Sequence, residues 1–291
     1  MRAVARRARI LLDDSTDLVG DFVRGQLAPQ GGFQDRSGEA DLYYTTFGLE
    51  AMLALGLSVP EASMRQYLQG YAGGQDLDLV HVSCLARCWG GLGRAGLRDE
   101  HRRQLIARVM QHRSRDGGFS AEPKRARGSV YAAFLAVSSC QDLGQTVPET
   151  KAVAATLHGL RLDDGSSANE PGIPIGTTPV TAAAVVLAAA FGRPADPDAL
   201  GWLLDRHHPG GGFLAHPMAP APDLLSTATA LHALSTAATD LSDIREACID
   251  FVDRLWSSRG CFRGTEDDDV LDCEYCWYGL LALGHLAEPL E

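Results

Sequence analysis

Glycine-rich turns recur along this chain at nearly constant spacing, and this repeat restricts the fold more than any other feature. The turns are centred on Gly32, Gly74, Gly118, Gly165, Gly212 and Gly260. Consecutive turns lie 42 to 48 residues apart, and several are followed by Phe, as in Gly31-Gly32-Phe33. A fixed period of this length is typical of repeat proteins, and six copies suit either a closed ring or an open solenoid.

The segments on the two sides of each turn predict two kinds of helix. Before a turn lies an amphipathic segment with apolar residues three and four positions apart, such as residues 99–112 and 243–257. After a turn lies a segment rich in Ala and Leu, such as residues 41–55 and 223–234. Because a helix that is apolar on nearly all sides is buried, we predict outer helices around a ring of inner ones.

The first and last inner segments are as apolar as the others, whereas an open solenoid needs polar capping repeats at its ends. We therefore predict an all-α fold, an (α/α)6 toroid of six helical-hairpin repeats around a central cavity. Residues 1–14 are predicted to be an N-terminal extension. Residues 15–291 are predicted to be a single toroid domain, since no linker interrupts the repeat.

Composition narrows the class of protein. The formal net charge of −11 argues against a nucleic-acid partner, which needs a positive surface. We expect no membrane span, because no apolar run is long enough to cross a bilayer. Only a short apolar stretch follows the N-terminal arginines, so we expect no signal peptide and a cytoplasmic location. The seven cysteines lie mostly in apolar helical patterns, which indicates reduced core thiols.

Aligning the inner segments identifies candidate catalytic residues at one end of the ring. Their aligned first positions are Asp41, Asp78, Gly128, Thr177, Asp223 and Asp272. Aspartate at a helix start is commonly an N-cap, and that is one interpretation of these residues. The other is collective: the four carboxylates, together with Glu274, surround the mouth of the cavity and act as acids or cation-binding groups.

Candidate substrate-binding residues follow from the same alignment. The positions three residues after the first ones include Tyr44, His81, Tyr131 and Tyr275, and Trp277 lies nearby on the last inner segment. Aromatic faces stabilise a carbocation, which gives these residues a function if they point into the cavity. Arg127 ends a short basic stretch before the third inner helix and is the candidate anion ligand, and a plain solvated loop is the alternative interpretation.

Two sets of residues have spacings that metal sites use. His81 and Cys84 lie one helical turn apart, and Asp272 is four residues before Cys276. Both sets are weak candidates for a metal, since small buried cysteines on a core-facing helix are common.

The glycine-rich turns and two of the inner segments resemble those of a known family. Asp41-Leu-Tyr-Tyr-Thr-Thr-Phe-Gly-Leu-Glu-Ala51, alternating with Gly-Gly-Phe turns, is similar to the prenyltransferase and squalene-cyclase repeat family over residues 15–286. Asp272-Cys-Glu-Tyr-Cys-Trp-Tyr278 is similar to the last inner helix of protein prenyltransferase β subunits. The resemblance implies the same α/α toroid, with a cavity that is lined by aromatic residues and holds an isoprenoid chain.

The residues that the resemblance implies for catalysis are only partly present. Of the zinc ligands of protein prenyltransferases, Asp223 matches, but Leu225 and Tyr275 occupy the Cys and His positions. The Asp-x-Asp-Asp acid motif of the cyclases has its nearest equivalent in Asp272-x-Glu274. Two carboxyls this close beside an apolar cavity raise the pKa of one of them, as a general acid requires.

Three functional hypotheses follow. The first is an isoprenoid-handling enzyme that performs acid- or cation-mediated cyclisation or isomerisation in the cavity without the standard zinc site. The second is a non-catalytic toroid that binds an apolar, isoprenoid-like small molecule. The third is a zinc-dependent prenyltransferase with rearranged ligands, which requires an α-subunit-like partner. We assign no cofactor from the sequence, and zinc or magnesium belongs to the hypotheses in which a metal takes part.

Overall fold

Two concentric layers of helices form a closed ring in the computed structural model, which describes residues 1–287. Each inner helix packs against the next one along the chain, and the last inner helix packs against the first. The inner helices are α4 (Leu42–Leu55), α6 (Leu79–Gly91), α8 (Val130–Asp142), α10 (Thr178–Ala190), α12 (Leu224–Thr236) and α14 (Cys273–Leu286). The predicted all-α toroid is confirmed.

The outer layer contains the helices that precede the glycine-rich turns. They are α3 (Ser15–Gly25), α5 (Glu61–Gln69), α7 (Asp99–Gln111), α9 (Thr150–His158), α11 (Pro197–Leu204) and α13 (Ser242–Arg254). Short antiparallel strand pairs follow two of the turns and flank the last one. They are β1 (Phe33–Gln34) with β2 (Ala40–Asp41), β3 (Phe213–Leu214) with β4 (Pro222–Asp223), and β5 (Trp256–Ser257) with β6 (Cys261–Phe262).

The glycine-rich turns repeat because each one packs against the outer helix of the next repeat. Gly211 has a φ of +89°, and a Cβ on it would overlap the backbone of Ala247 in α13. Gly260, in the last turn, has a φ of +83°, and a Cβ there would overlap the carbonyl oxygen of Leu18 in α3. Glycine therefore provides both the left-handed conformation and the close approach, and the last of these contacts closes the ring.

Polar side chains fix where the inner helices begin. The N-cap side chains of α4, α6, α8, α12 and α14 each accept a hydrogen bond from the backbone N–H three residues later. These caps are Asp41, Asp78, Ser129, Asp223 and Asp272. The alignment is corrected at the third repeat, where the capping residue is Ser129 and Gly128 precedes it. Gly128 instead donates its N–H to Asp116 in the turn.

The N-terminal residues cover the end of the ring where the inner helices end. Helix α1 (Arg2–Ala5) and a 3-10 helix (Arg6–Ala8) pack against α14, and α1 also packs against α4. Helix α2 (Arg9–Leu12) packs against the 3-10 helix and α3. Ala5 and Ala8 are completely buried. Residues 288–291 of the predicted toroid domain lie outside the described residues. No helix within residues 1–287 is both long and apolar enough to cross a membrane.

Candidate functional site

A cavity of about 340 Å³ lies inside the ring, and all the inner helices contribute to its wall. Its lining follows a simple rule when residues are counted from the N-cap of each inner helix. Most of the lining residues are the second, fifth or sixth, and ninth residues after the cap. These positions lie on one face of an α-helix, so they form three layers from the mouth to the floor.

The mouth layer combines one acidic residue with tyrosines and apolar side chains. It consists of Tyr43, Val80, Tyr131, Pro179, Leu225 and Glu274. Tyr131 is 45% exposed, so this layer opens to the outside of the ring. The floor layer consists of Glu50, Arg87, Ser138, Val186, His232 and Leu281. Glu274 and Leu281 are seven residues apart on α14, which places the mouth and floor layers ~10 Å apart at the helical rise per residue.

Glu274 is the carboxyl of the mouth layer. It lies on the first turn of α14, and its Oε1 accepts a hydrogen bond of 2.6 Å from the Tyr43 hydroxyl on the neighbouring α4. Burial raises the pKa of Glu274, and the nearby charge of Asp272 raises it further, whereas the hydrogen bond from Tyr43 and the charge of Arg36 lower it. The net effect is a raised pKa, which favours the protonated form that a general acid needs.

The middle layer is an aromatic wall. Phe47, Phe134, Trp277 and Tyr278 line the cavity below Glu274. The ring of Phe47 lies 4.9 Å from that of Tyr43 and 5.7 Å from that of Tyr278, measured between centroids. The hydroxyls in this layer include those of Thr46 and Thr229, and both donate hydrogen bonds to backbone carbonyls of their own helices. The wall therefore offers π faces and apolar surface to a ligand.

The floor carries a network of ion pairs. Arg2, from the N-terminal segment, donates to both carboxylate oxygens of Glu50 at 3.1 and 2.6 Å. Arg87 lies 3.2 Å from Glu50 and 3.6 Å from Asp142, which also lines the cavity. Glu50 is only 2% exposed, so loss of either arginine would leave a buried carboxylate with fewer partners, which is destabilising.

Two histidines form a pair at the floor. His232 Nδ1 lies 3.0 Å from His285 Nε2, and His232 lines the cavity. Burial lowers the pKa of His232 to about 4. Burial and, to a smaller extent, the electrostatic effect of His232 lower the pKa of His285 to about 3. Both imidazoles are therefore neutral near pH 7, and a single proton lies between the two facing nitrogens.

Some residues predicted from the sequence lie in this cavity. Glu274, Tyr131, Trp277 and Cys84 all line it. The N-cap aspartates do not. Asp272 is 3% exposed and, besides capping α14, accepts a hydrogen bond of 2.9 Å from Arg36. The carboxylates predicted to converge at the mouth are thus engaged by helix starts, and Glu274 alone among them faces the interior.

The remaining predicted residues point elsewhere. Tyr44, His81 and Tyr275 are three residues after their caps, one position beyond the lining face, and none of them lines the cavity. His81 Nδ1 instead contacts Asp78 at 2.8 Å. The net effect on Asp78 is a lowered pKa. Burial raises this pKa, but the hydrogen bonds from the backbone and side chain of His81 together lower it more. Arg127 is exposed and lines a separate surface pocket with Asp116.

The weak metal candidates do not assemble into a site. Cys276 is completely buried in the core beside Cys261, whereas Cys84 faces the cavity and His81 the surface. Within residues 1–287, no group of three or more His, Cys, Asp or Glu side chains is arranged to hold a metal ion. At the zinc positions of protein prenyltransferases Leu225 has no donor atom, so the residues here do not fit that ion.

The floor residues were not predicted from the sequence. Glu50, Arg87 and His232 each lie seven residues after a mouth-layer position of the same helix. The available signal was a charged or imidazole side chain inside an otherwise apolar helix.

Comparisons with known proteins agree with the toroid. The model of the prenyltransferase alpha-alpha toroid domain matches residues 15–84, 82–187 and 180–288. No curated protein matches the sequence. A variant of the type II terpene cyclase MstE from Scytonema, in complex with its substrate geranylgeranyl dihydroxybenzoate, aligns with a TM-score of 0.66 at 14% identity. That alignment covers 96% of this chain and 97% of the cyclase.

Two other solved structures show the range of proteins that share the fold. The Candida albicans protein geranylgeranyltransferase-I complexed with GGPP aligns with a TM-score of 0.64 at 12% identity, over 84% of this chain and 82% of that one. The GH76A alpha-1,6-mannanase from Salegentibacter sp. HEL1_6 aligns with a TM-score of 0.62 at 12% identity, over 94% and 98%. Structural likeness at such low identity establishes the fold alone. Because the family model matches three segments that together span nearly the whole chain, the protein belongs to the prenyltransferase alpha-alpha toroid domain family.

Proposed function

We propose that the protein is an enzyme that cyclises an isoprenoid by protonation, with Glu274 as the general acid. The observation that carries the proposal is the position of this carboxyl. It is bonded to Tyr43 at the mouth of a cavity whose next layer is aromatic. A carboxyl with a raised pKa holds its proton at higher pH than an exposed one, which poises it to transfer the proton to a carbon–carbon double bond.

The chemistry balances without an oxidant or reductant. The alkene π pair forms a new C–H bond with the proton of Glu274, and the adjacent carbon becomes a carbocation. The π pair of a second alkene then forms a ring C–C bond and passes the positive charge along the chain, until breaking of an adjacent C–H bond releases a proton and leaves a neutral alkene that is isomeric with the substrate. The faces of Phe47, Trp277 and Tyr278 stabilise that charge without reacting as bases.

The cavity wall favours an isoprenoid over a carbohydrate, even though a mannanase shares the fold. A sugar needs many hydrogen-bonding partners, whereas the Thr46 and Thr229 hydroxyls are already bonded to backbone carbonyls. A geranylgeranyl compound bound in the related cyclase supports the same substrate class. The proposal assigns capping, and not acid catalysis, to Asp41, Asp78, Asp223 and Asp272.

The test uses the purified full-length chain and three probes: farnesyl diphosphate, geranylgeranyl diphosphate and geranylgeranyl dihydroxybenzoate. Mass spectrometry of the reaction in D2O should show an isomeric cyclic product with one deuterium incorporated. Glu274→Gln should lower kcat by about 100-fold or more, the usual contribution of a general acid. Asp272→Asn is the matched control, since asparagine also caps helices, and it should retain most of the activity.

Two results would contradict the proposal. One is undiminished turnover by the Glu274→Gln variant. The other is recovery of all three probes unchanged from wild-type protein that demonstrably binds one of them, which would favour a non-catalytic binding toroid.

A further inference from the structure

The floor of the cavity holds a base whose free nitrogen the proposed protonation step does not use. His232 is on α12, in the layer ~10 Å below that of Glu274 along the ring axis. Its Nδ1 faces His285, and within the part of the chain that the structure describes its Nε2 makes no hydrogen bond. Nε2 is therefore the nitrogen left for a ligand in the cavity.

The carboxylates of the floor are already engaged in ion pairs. Both oxygens of Glu50 accept hydrogen bonds from Arg2, and Arg87 lies 3.2 Å from the same carboxylate. Asp142 is paired with Arg87 and lies one helical turn beyond the floor layer. Taking up a proton would break these ion pairs, whereas neutral His232 has no ion pair to lose.

From this arrangement we infer that His232 is the catalytic base that ends the reaction, and that His285 is its positioning residue. The inference rests on the proposed cyclisation. A C–H bond next to the final carbocation breaks, its electron pair forms the C=C bond of the product, and the proton passes to His232 Nε2. The proton then returns to solvent, and Glu274 is reprotonated from solvent.

The contact with His285 explains how His232 is held ready. When His232 Nδ1–H donates to His285 Nε2, the lone pair of His232 lies on Nε2, the tautomer that a base requires. The same hydrogen bond stabilises the imidazolium once the proton has arrived. The low pKa of His232 keeps it unprotonated beforehand, and even a weak base deprotonates a carbocation readily.

The separation of acid and base has a consequence for the product. The carbon that gains a proton lies at the mouth layer and the carbon that loses one lies at the floor layer. The positive charge must therefore travel along the substrate before it is lost. The arrangement thus favours cyclisation with several bond-forming steps over a local shift of one double bond.

The experiment measures the distribution of products from the probe that the wild-type protein cyclises. His232→Asn and His232→Phe both remove the basic nitrogen, and thermal unfolding monitored by circular dichroism selects the folded variants. Each should convert substrate, because Glu274 is intact. The share of the wild-type alkene among the products should fall at least tenfold in favour of other alkene isomers and of alcohols formed by water.

A pair of variants distinguishes a positioning role of His285 from a purely structural one, because only a positioning role is rescued by a side chain that accepts the same hydrogen bond. His285→Leu should change the product distribution in the same direction, whereas His285→Gln, whose carbonyl oxygen can accept from His232 Nδ1–H, should restore it. His158→Asn, on the exposed end of α9, is the control and should leave the distribution unchanged.

The outcomes distinguish this inference from the proposed function. An unchanged product distribution in both folded His232 variants, with Glu274→Gln inactive, would overturn the inference and leave the proposed function standing. Full activity of Glu274→Gln would remove the proposed function, and the inference with it, whatever the His232 variants do.

Discussion

At the scale of single residues, one position along a helix decides whether a side chain can take part in chemistry. Asp272 and Glu274 are two residues apart, yet the first is bound by its own helix start and by Arg36, whereas the second faces the cavity. Tyr43 and Tyr44 are adjacent, and only Tyr43 reaches Glu274. A step of one residue rotates a side chain by about 100° around the helix axis, which is enough to turn it out of the cavity.

The hydrogen bond between Tyr43 and Glu274 leads to a prediction about pH. This bond stabilises the ionised carboxylate, so it lowers the pKa of Glu274 against the effect of burial. A general acid works while protonated, and its activity is lost as pH rises through its pKa. Tyr43→Phe should therefore raise the pKa of Glu274 and move the alkaline limb of the kcat–pH profile to higher pH.

Two measurements check this prediction. The kcat profile of Tyr43→Phe is compared with that of Tyr44→Phe, which alters a tyrosine outside the cavity and should leave the limb in place. Difference infrared spectroscopy follows the protonated carboxyl band that disappears in Glu274→Gln. A limb that moves to lower pH would show that Tyr43 does not stabilise the carboxylate.

At the scale of secondary-structure elements, the N-cap aspartates define the start of the inner helices. Asp223 illustrates the geometry: its Oδ1 accepts the backbone N–H of Ser226 at 2.7 Å, and its Oδ2 accepts the hydroxyl of the same residue. Burial raises the pKa of Asp223, although these hydrogen bonds oppose the shift. The cap fixes where α12 begins, and therefore which residues of α12, Leu225 and His232 among them, face the cavity.

Substitution of Asp223 should separate capping from catalysis. Asp223→Ala removes the acceptor and should lower the free energy of unfolding by about 1 kcal/mol, the usual cost of losing a cap. Asp223→Asn retains an acceptor and should cost only a few tenths of that amount, with kcat nearly unchanged. Urea unfolding and the cyclisation assay measure both effects. Loss of kcat in a stably folded Asp223→Asn would instead make this carboxylate part of the catalytic machinery.

At the scale of the whole molecule, the ring is closed by three contacts between its two ends. Helix α14 packs against α4, the N-terminal segment covers the floor between them, and the last glycine turn packs against α3. Within the N-terminal segment, Arg2 donates to Glu50 of α4, and α1 and the 3-10 helix contact α14. The floor of the cavity is thus completed only when the first residues of the chain reach the last helix.

The contact of Gly260 predicts a specific weakness at the seam. Gly260→Ala places a methyl group against the backbone of Leu18. It also forces alanine to adopt a φ of +83°, which is unfavourable for a residue with a side chain. We expect a loss of about 2–4 kcal/mol of unfolding free energy, combining overpacking with backbone strain.

Gly38→Ala is the matched control for the seam. Gly38 has a φ of +90°, and a Cβ there would have nothing within 4 Å. This variant should lose only the strain contribution, about 1 kcal/mol. Chemical denaturation compares the two variants, and equal losses would show that the seam contact does not contribute to stability.

The sequence alone determined the repeat and, through it, the toroid. Glycine spacing, amphipathic outer segments and apolar inner segments are local features, and closure of six such hairpins leaves little freedom in the fold. The caps at Asp41, Asp78, Asp223 and Asp272 were also accessible, because N-capping depends only on neighbours along the chain. The family resemblance led to the same fold.

Only the tertiary structure decided which residues line the cavity. The inner helices are apolar on almost every side, so no polar stripe indicates the face that points to the cavity, and the alignment chose Tyr44, His81 and Tyr275 one position too far. The packing of each inner helix between two neighbours fixes its rotation and brings Tyr43 to Glu274 and His232 to His285, pairs that are 231 and 53 residues apart. Contacts over such distances depend on the rotation and tilt of whole helices, which local sequence patterns do not encode.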